Sequence, residues 1–399
     1  MLRRHFSIIV IASLISHIGF AAKKLDKTAS GAPPSELPRI AFFNPSSVGN
    51  TFWPQVFLSM EEAAKDLGFI FLHYDLGFED RMATEERIRE VLNSNLKVDA
   101  IMASTTINSA RRILASPQTK SSTIIFEGPL FPSELKTLTQ DAKNVHPNWL
   151  GFFEQNEQEK GYQLAQLLIE RARHKKAIGK DGRIHVLGIG GAKKWYGSHL
   201  RELGLKKAIE ESKDAVLNQI VSADWSTERS RTLSGKLLER FPETSVIWAA
   251  SDQMALGVVE ALVASGRKLG ESGFTGGLDF SEVGLKEVKK GTFEATVGSP
   301  AYFYTKVAIF LYDYVTHAYP TGKNPPDLTA EVFVATKENA SDLLLSRQVI
   351  AELDLREFSL KYHPELKEYD FSWAKILQTV CRGTMFRSDE VKALCVKKR

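Results

Sequence analysis

Short uncharged runs of β-branched and aromatic residues alternate along the chain with longer segments in which apolar residues recur every three or four positions. In the clearest unit, a run at 245–250 is followed by a helical pattern at 254–264. The runs predict buried parallel strands, and the longer segments predict amphipathic helices. Because the units repeat at about thirty-residue intervals, the chain is predicted to form βαβ units with right-handed crossovers.

The pattern forms two successive halves, separated by residues 128–148, which contain three prolines and are predicted to be a loop. A last strand is expected near 327–334 and a helix at 340–355, after which the alternation stops. The other predicted strands are 38–44, 69–74, 98–103, 122–126, 150–153, 183–188, 216–221, 274–279 and 295–298. The other predicted helices are 52–67, 81–94, 109–115, 159–172, 198–212, 227–241, 281–290 and 302–317.

Composition is that of a soluble globular protein. The chain has 399 residues. Because this length exceeds what a single hydrophobic core usually supports, two domains are expected. Hydrophobic residues make up 43% and charged residues 25%. The net charge of +4 is dispersed among acidic and basic side chains, so no nucleic-acid partner is predicted.

The amino terminus predicts export. Arg3 and Arg4 precede an apolar run at 8–20 and a small-x-small pattern that ends at Ala21. This pattern is typical of a secretory signal peptide at 1–22, and the run is well short of the ~20 residues that span a bilayer. Residues 23–37, rich in Lys, Ser, Gly and Pro, are expected to form a flexible leader. We therefore expect a mature protein outside the cytoplasm, in the periplasm.

The two cysteines, Cys381 and Cys395, lie close together near the carboxyl terminus. In an oxidising compartment they are expected to form a disulfide that fastens the tail. No cluster of cysteine and histidine has zinc spacing, and neither a metal nor a cofactor is predicted.

Polar and aromatic side chains follow most of the predicted strands, at the edge where open α/β sheets bind ligands. A sugar offers an apolar face for stacking and hydroxyls for carboxylates and guanidinium groups, so this mixture favours a polyol ligand. Taken alone, each ring also fits a core position, and Ser251 or Asp252 also fits a helix cap. The candidates are Asn50, Phe52, Trp53, Ser104, Glu127, Trp195, Arg201, Trp225, Ser251, Asp252 and Asp279.

Five segments resemble periplasmic sugar-binding proteins of the ribose-binding type, over residues 38–335. The segments are PRIAFFNPSSVGNTFWPQVFLSMEEAAKDLGF, SHLRELGLKKAIEE, SADWSTERS, WAASDQMALGVVEAL and GGLDFSEVGLKEVKKGTFEATVGSP. The resemblance implies that Arg201 grips the ligand, Trp225 stacks on it and Asp279 binds its hydroxyls. It also adds Ser299 as a polar group near the hinge.

The chain departs from the family pattern at three places. The usual Asp-Arg pair after the fourth strand is Glu127-Gly128, and Ser251 and Ser299 replace larger amides. These changes argue against plain ribose and leave room for larger groups. The autoinducer-binding branch of the superfamily has a similar aromatic pair, mid-chain arginine and Ser/Thr-Asp, and it stays open as an alternative.

The resemblance implies two doubly wound parallel-sheet lobes joined by three crossovers, near 148–151, 276–280 and 322–328. The expected division is 38–148 plus 279–325 for the first lobe, 149–278 plus 326–345 for the second and 346–399 for a carboxyl-terminal extension. The implied function is a monomeric solute-binding protein that closes around a sugar or polyol and presents itself to an ABC permease. The periplasmic domain of a sensor kinase is the alternative partner.

Two other classes of protein were weighed. A secreted enzyme could use the same cleft, but the chain has no GxxxxGK[ST] or GxSxG motif, and Lys194 follows the GIGG at 188–191 where a dinucleotide loop needs glycine. A transcription regulator would need an amino-terminal helix-turn-helix where this chain has its export pattern. We therefore predict a binding protein and not an enzyme.

Overall fold

A computed structural model describes residues 37–44, 50–75, 86–87, 89–91, 93–94, 97–106, 109–145, 147–383, 386 and 388–398. The predicted signal peptide and all but the last residue of the predicted leader lie outside these residues, as does part of the predicted helix at 81–94. Among the helices of the described part, none combines the length and apolar character needed to cross a membrane.

The first lobe contains a parallel sheet with the strand order β2-β1-β3-β4-β5. Strand β1, between β2 and β3, is apolar on both faces and has Ile40, Ala41, Phe42 and Phe43 fully buried, as expected for a sheet covered on both sides. The strands are β1 (Arg39–Asn44), β2 (Ile70–Asp75), β3 (Ala100–Ser104), β4 (Thr123–Glu127) and β5 (Trp149–Phe153). The helices are α1 (Trp53–Leu67), α2 (Ser109–Ala115) and α3 (Pro132–Val145).

The second lobe contains a sheet with the order β11-β10-β9-β8-β6-β7, in which β11 alone among the described strands is antiparallel. Together the two sheets confirm the predicted α/β class. The strands are β6 (Ile184–Gly190), β7 (Ala215–Ser222), β8 (Thr244–Ala249), β9 (Phe274–Leu278), β10 (Thr296–Gly298) and β11 (Phe333–Ala335). The helices are α4 (Glu157–His174), α5 (Tyr196–Glu211), α6 (Thr227–Arg240), α7 (Asp252–Ala264) and α8 (Glu282–Lys290).

Helices α4 and α5 approach each other unusually closely, because glycines lie at their contact. A Cβ atom at Gly161 would lie 2.1 Å from the Arg201 carbonyl oxygen, and one at Gly204 would lie 2.1 Å from the Gln158 carbonyl oxygen. Only glycine permits this backbone contact. It brings the first turn of α4, which carries Glu157, against Arg201 of α5.

Two sequence predictions about chain path are wrong. The segment 128–148 contains helix α3, whose first residue is Pro132, a position where proline is tolerated because the missing N–H needs no partner there. The predicted crossover near 276–280 is also misplaced, because β10 pairs with β9 and keeps residues 279–298 in the second lobe. The chain returns to the first lobe just after Ser299, at the start of α9 (Phe303–Val315), which shares a core with α1.

The carboxyl-terminal extension begins at residue 340, because one helix crosses the predicted boundary at 346. It packs on the first lobe and also contacts the second. It contains α10 (Ala340–Ala351), a short 3₁₀ turn (Leu355–Phe358), α11 (Trp373–Arg382) and α12 (Asp389–Lys398). Buried Asp313 of α9 accepts hydrogen bonds from the Ser359 hydroxyl, the Leu360 and Lys361 amides and the Tyr369 hydroxyl. A disulfide between Cys381 and Cys395 joins α11 to α12, as expected from the sequence.

Candidate functional site

A cleft between the two lobes contains about 470 Å³ of empty space, part of which is open to solvent. The carboxyl ends of strands from both sheets meet there, together with the segment that follows β5 and joins the lobes. Its lining residues are Asn50, Phe52, Trp53, Ser104, Glu127, Gln155, Trp195, Arg201, Trp225 and Asp279. Nine of these ten are candidates from the sequence, and they come from opposite halves of the chain.

Each lobe contributes an aromatic pair to the cleft. In the first lobe, the rings of Phe52 and Trp53 lie edge to face with centroids 5.2 Å apart. Asn50 fixes the backbone of this pair, because its Oδ1 accepts hydrogen bonds from both amides, at 2.8 and 2.9 Å. In the second lobe, the rings of Trp195 and Trp225 are 5.7 Å apart, also edge to face. The apolar surface that stacking on a sugar ring requires is therefore present on both sides.

Two of the site residues lie on backbone that L-residues seldom adopt. Trp225 has a φ of 64° and Asp279 a φ of 117°, and in each case a neighbouring residue, Asp224 or Phe280, also has positive φ. Such conformations cost free energy and are found where a side chain must be aimed at a ligand. The two junctions thus turn Trp225 and Asp279 towards the cleft at some local cost.

Arg201 is the central cation of the second lobe. Its Nε donates to Glu157 Oε2 at 2.5 Å, and its Nη1 donates to the Ala250 carbonyl at 2.6 Å and to Asp279 Oδ1 at 3.0 Å. The guanidinium also lies 5.2 Å from the ring centre of Trp195. Burial opposes its charge, but Glu157 and Asp279 outweigh that effect and raise the pKa of Arg201. Arg201 therefore stays charged and rigidly oriented.

A second buried cation, Lys160, lies beneath the cleft. Its Nζ donates to Gln155 Oε1 at 2.8 Å and to Glu157 Oε1 at 3.2 Å. Burial lowers the pKa of Lys160 to about 8, although Glu157 favours the charged form. Burial also disfavours ionised Glu157, but Arg201 and Lys160 hold the pKa of its carboxyl below the ordinary value. These contacts tie the hinge residue Gln155 to the charge network of the second lobe.

The network continues into the first lobe through hydroxyl groups. Gln155 Nε2 donates to the Tyr304 hydroxyl at 2.9 Å, and that hydroxyl donates to Glu127 Oε1 at 3.1 Å. Ser104 donates to Glu127 Oε2 at 2.9 Å. Burial raises the pKa of Glu127 to about 7, with Ser104 opposing the shift. An unbroken chain of hydrogen bonds thus joins Ser104 in one lobe to Asp279 in the other.

Three candidates from the sequence lie outside the cleft. Ser251 caps α7 by accepting a hydrogen bond from the Met254 amide at 3.1 Å, which is the helix-cap interpretation weighed in the sequence. Asp252 Oδ2 accepts hydrogen bonds from the backbone amide and hydroxyl of Ser281 and so fastens the loop that carries Asp279. Ser299 donates to the carbonyl of Glu331. These contacts account for the three polar side chains without a ligand. The sequence could not exclude them, because a local pattern cannot distinguish a helix cap from a ligand contact.

The sequence missed Gln155. It lies two residues after the end of β5, and a polar residue after a predicted strand is the same signal that identified Ser104 and Glu127. The chain crosses between lobes at this point, so Gln155 faces the cleft from the hinge.

Gly128 occupies the position of the arginine in the family's Asp-Arg pair. Its φ is 82°, and a Cβ atom there would lie 3.3 Å from Trp195 Nε1. The indole of Trp195 therefore lies directly against the position that carries arginine in the family pattern. Glu127 is left without the neighbouring cation that an Asp-Arg pair would supply.

Residues that could hold a metal ion lie elsewhere, on the second lobe. Ligand atoms of Asp181, His185 and Glu243 lie within 4.8 Å of one another. Asp181 is already paired with Arg183, and Glu243 accepts a hydrogen bond from the Lys180 amide. Their proximity is accounted for by these contacts.

Two α/β lobes around a cleft lined with aromatic and charged side chains define a two-lobed solute-binding protein. Residues 40–316 match the model of the periplasmic binding protein domain, which is more than half of the chain. The chain belongs to this family, and the resemblance inferred from the sequence is confirmed.

The chain is similar to a curated relative and to solved structures. It is 28% identical over 141 residues to the ribose import binding protein of Bacillus subtilis (strain 168); the match spans 35% of this chain and 43% of that protein. A periplasmic sugar-binding protein from Pseudomonas fluorescens is 25% identical, with a TM-score of 0.72 over 86% of this chain and 100% of that one. A solute-binding protein from Actinobacillus succinogenes shares the fold at 21% identity, with a TM-score of 0.63 over 76% of this chain and 99% of that one.

Proposed function

We propose that the protein is a periplasmic, monomeric solute-binding protein that captures a sugar or sugar-like polyol between its lobes and presents the closed form to an ABC importer. One observation carries the proposal: the two aromatic pairs and the hydrogen-bonded charge network converge on a single cleft. The relatives support it, because one is named for ribose import and another for sugar binding.

The chemistry of the cleft suits a polyol. The rings of Trp53 and Trp225 offer flat apolar surfaces for the C–H face of a sugar ring. Glu127 and Asp279 accept hydrogen bonds from hydroxyls, and Arg201 holds Asp279 in place for that task. The proposed ligand contacts are the ten lining residues.

Binding couples to closure because the contacts come from both lobes. Neither lobe alone completes the site, so a ligand gains more contacts in the closed arrangement and shifts the population towards it. The lobes already touch beside the cleft, where the Glu282 amide donates to Gln55 Oε1 at 3.3 Å. An importer that recognises closed protein would then distinguish loaded from empty molecules.

Titration of tryptophan fluorescence with pentoses, hexoses and inositols tests the proposal. Saturable binding is expected, and Trp225→Ala should weaken it about tenfold or more through lost stacking. The matched control is Trp373→Phe, because Trp373 is exposed on α11, away from the cleft. Absence of binding by every polyol, checked by calorimetry, would reject the proposal.

A further inference from the structure

Glu127 stands out among the carboxylates of the cleft because no cation is bonded to it. Its side chain is buried, with 3% of the residue exposed, and it lines the cleft. Among the described residues its hydrogen bonds come from two neutral hydroxyls, those of Ser104 and Tyr304. Each carboxylate oxygen accepts one of them and keeps a second acceptor site. The side chain is thus positioned but not neutralised.

The other buried charged groups of the site form ion pairs with one another and not with Glu127. Arg201 pairs with Glu157 and Asp279, and Lys160 pairs with Glu157. Counting these groups together with Glu127 gives three carboxylates against two cations, so the closed cleft carries one excess negative charge when all five groups are ionised. A buried carboxylate without a partner is costly, and it is relieved either by taking up a proton or by pairing with a cation.

The protein cannot supply that cation from the neighbouring position. Gly128 has no side chain, and Trp195 Nε1 would lie 3.3 Å from a Cβ atom there. Lys160, whose attraction does reach Glu127, keeps its ammonium on Gln155 and Glu157. With no cation among the described residues hydrogen-bonded to Glu127, a bound molecule is the source of positive charge that fits this position.

We propose that the preferred ligand is an amino sugar or aminocyclitol whose protonated amine pairs with Glu127. This inference rests on the proposed function and narrows its ligand class. The rings of the two aromatic pairs hold the sugar ring, Asp279 accepts from its hydroxyls, and the amine donates to the free acceptor sites of Glu127. A charge-assisted hydrogen bond of this kind is about twice as strong as a neutral one.

Calorimetry with matched pairs tests the inference: glucosamine against glucose, galactosamine against galactose, and an amino-inositol against inositol. At pH 7 the amine member of a pair should bind about tenfold or more tightly than its neutral partner. Because burial raises the pKa of Glu127 to about 7, amine binding below that pH should release a proton from this carboxyl. The released proton appears as a dependence of the binding heat on the ionisation enthalpy of the buffer.

Two variants locate the effect. In Glu127→Gln the affinities for the two members of a pair should converge, and the proton release should disappear. Glu202→Gln is the matched control, because Glu202 is a half-buried carboxyl whose pKa is also raised by burial, but it does not line the cleft. It should keep the amine preference.

The outcomes separate this inference from the proposed function. Neutral sugars that bind as tightly as their amines would overturn the inference and leave the proposed function standing. An amine preference that persists in Glu127→Gln would overturn it as well. Failure of both series to bind would reject the proposed function itself.

Discussion

Replacing Arg201 by methionine tests the charge network most directly. The side chain of Arg201 is 5% exposed, and those of its partners Glu157 and Asp279 are 2% and 13% exposed. Methionine fills much of the same volume but leaves both carboxylates and the Ala250 carbonyl without their donor. Breaking a buried ion pair in this way costs about 3–5 kcal/mol. Lys160 still pairs with Glu157, so we expect the lower half of that range.

Urea denaturation at pH 7.5, followed by tryptophan fluorescence, measures the loss. The companion variant Arg201→Met/Asp279→Asn removes the carboxylate that loses its ion-pair partner, whereas Glu157 keeps Lys160. It should recover about 1 kcal/mol or more, because a neutral amide costs less to bury than a carboxylate. The deficit of the single variant should also shrink at pH 5, where Asp279, with a pKa raised by burial to about 6, takes up a proton. A single variant that loses less than about 1 kcal/mol, or a double variant that is no more stable than the single one, would refute the argument.

Three further outcomes are expected. Burial raises the pKa of Asp252 to about 7 from an ordinary 3.8. The folded state therefore gains stability from protonated Asp252, a gain that is complete below pH 3.8 and is lost as pH rises through 7. Asp252→Asn should remove that part of the pH dependence of unfolding. In Gly191→Ala the new Cβ would lie 2.1 Å from Trp225 Cη2, so the indole must move and ligand affinity should fall, as measured by calorimetry. Replacing Cys381 and Cys395 by serine opens a loop with a sequence separation of 14, which should cost about 3 kcal/mol and speed proteolysis of the extension.

The chain offers a matched control for the glycine variant, and each of the other two predictions has an outcome that would contradict it. Gly235→Ala has no heavy atom within 4 Å of the new Cβ and lies inside α6, so it should leave ligand affinity unchanged and add slight helix stability. For the disulfide, proteolysis that is equally slow in the serine variant would contradict the expected role. For Asp252, an unchanged pH profile in the asparagine variant would contradict the expected titration.

Local pattern was sufficient for most of the fold. The predicted strand at 245–250 is shifted by one residue from the bounds of β8, and the helical pattern at 254–264 lies within α7. Buried parallel strands are continuous apolar runs and amphipathic helices have a period near 3.6, so both signals exist within a single segment. The sequence does not predict helix α3, because three prolines at 128–148 favour a loop, although proline at the first helical position, as at Pro132, is compatible with a helix.

The site was only partly predictable. Trp53, Arg201 and Asp279 follow predicted strands, and the structure places all three in one cleft. The prediction works because the carboxyl ends of parallel strands share one edge of the sheet. The same signal could not separate Asp279 from Asp252, which lies at an equivalent junction but bonds to Ser281 behind the cleft. That difference depends on how two neighbouring loops pack.

The sequence by itself determined the alternation of strands and helices, the two lobes and the residue types offered at each strand end, because these follow from short-range periodicity. Tertiary structure alone decided that β10 completes the second sheet, that Gln155 enters the cleft from the hinge and that Trp195 lies against Gly128. Each of these is a contact between segments far apart along the chain. Its energy depends on the packing of whole lobes, which no local pattern of hydrophobic and polar residues specifies.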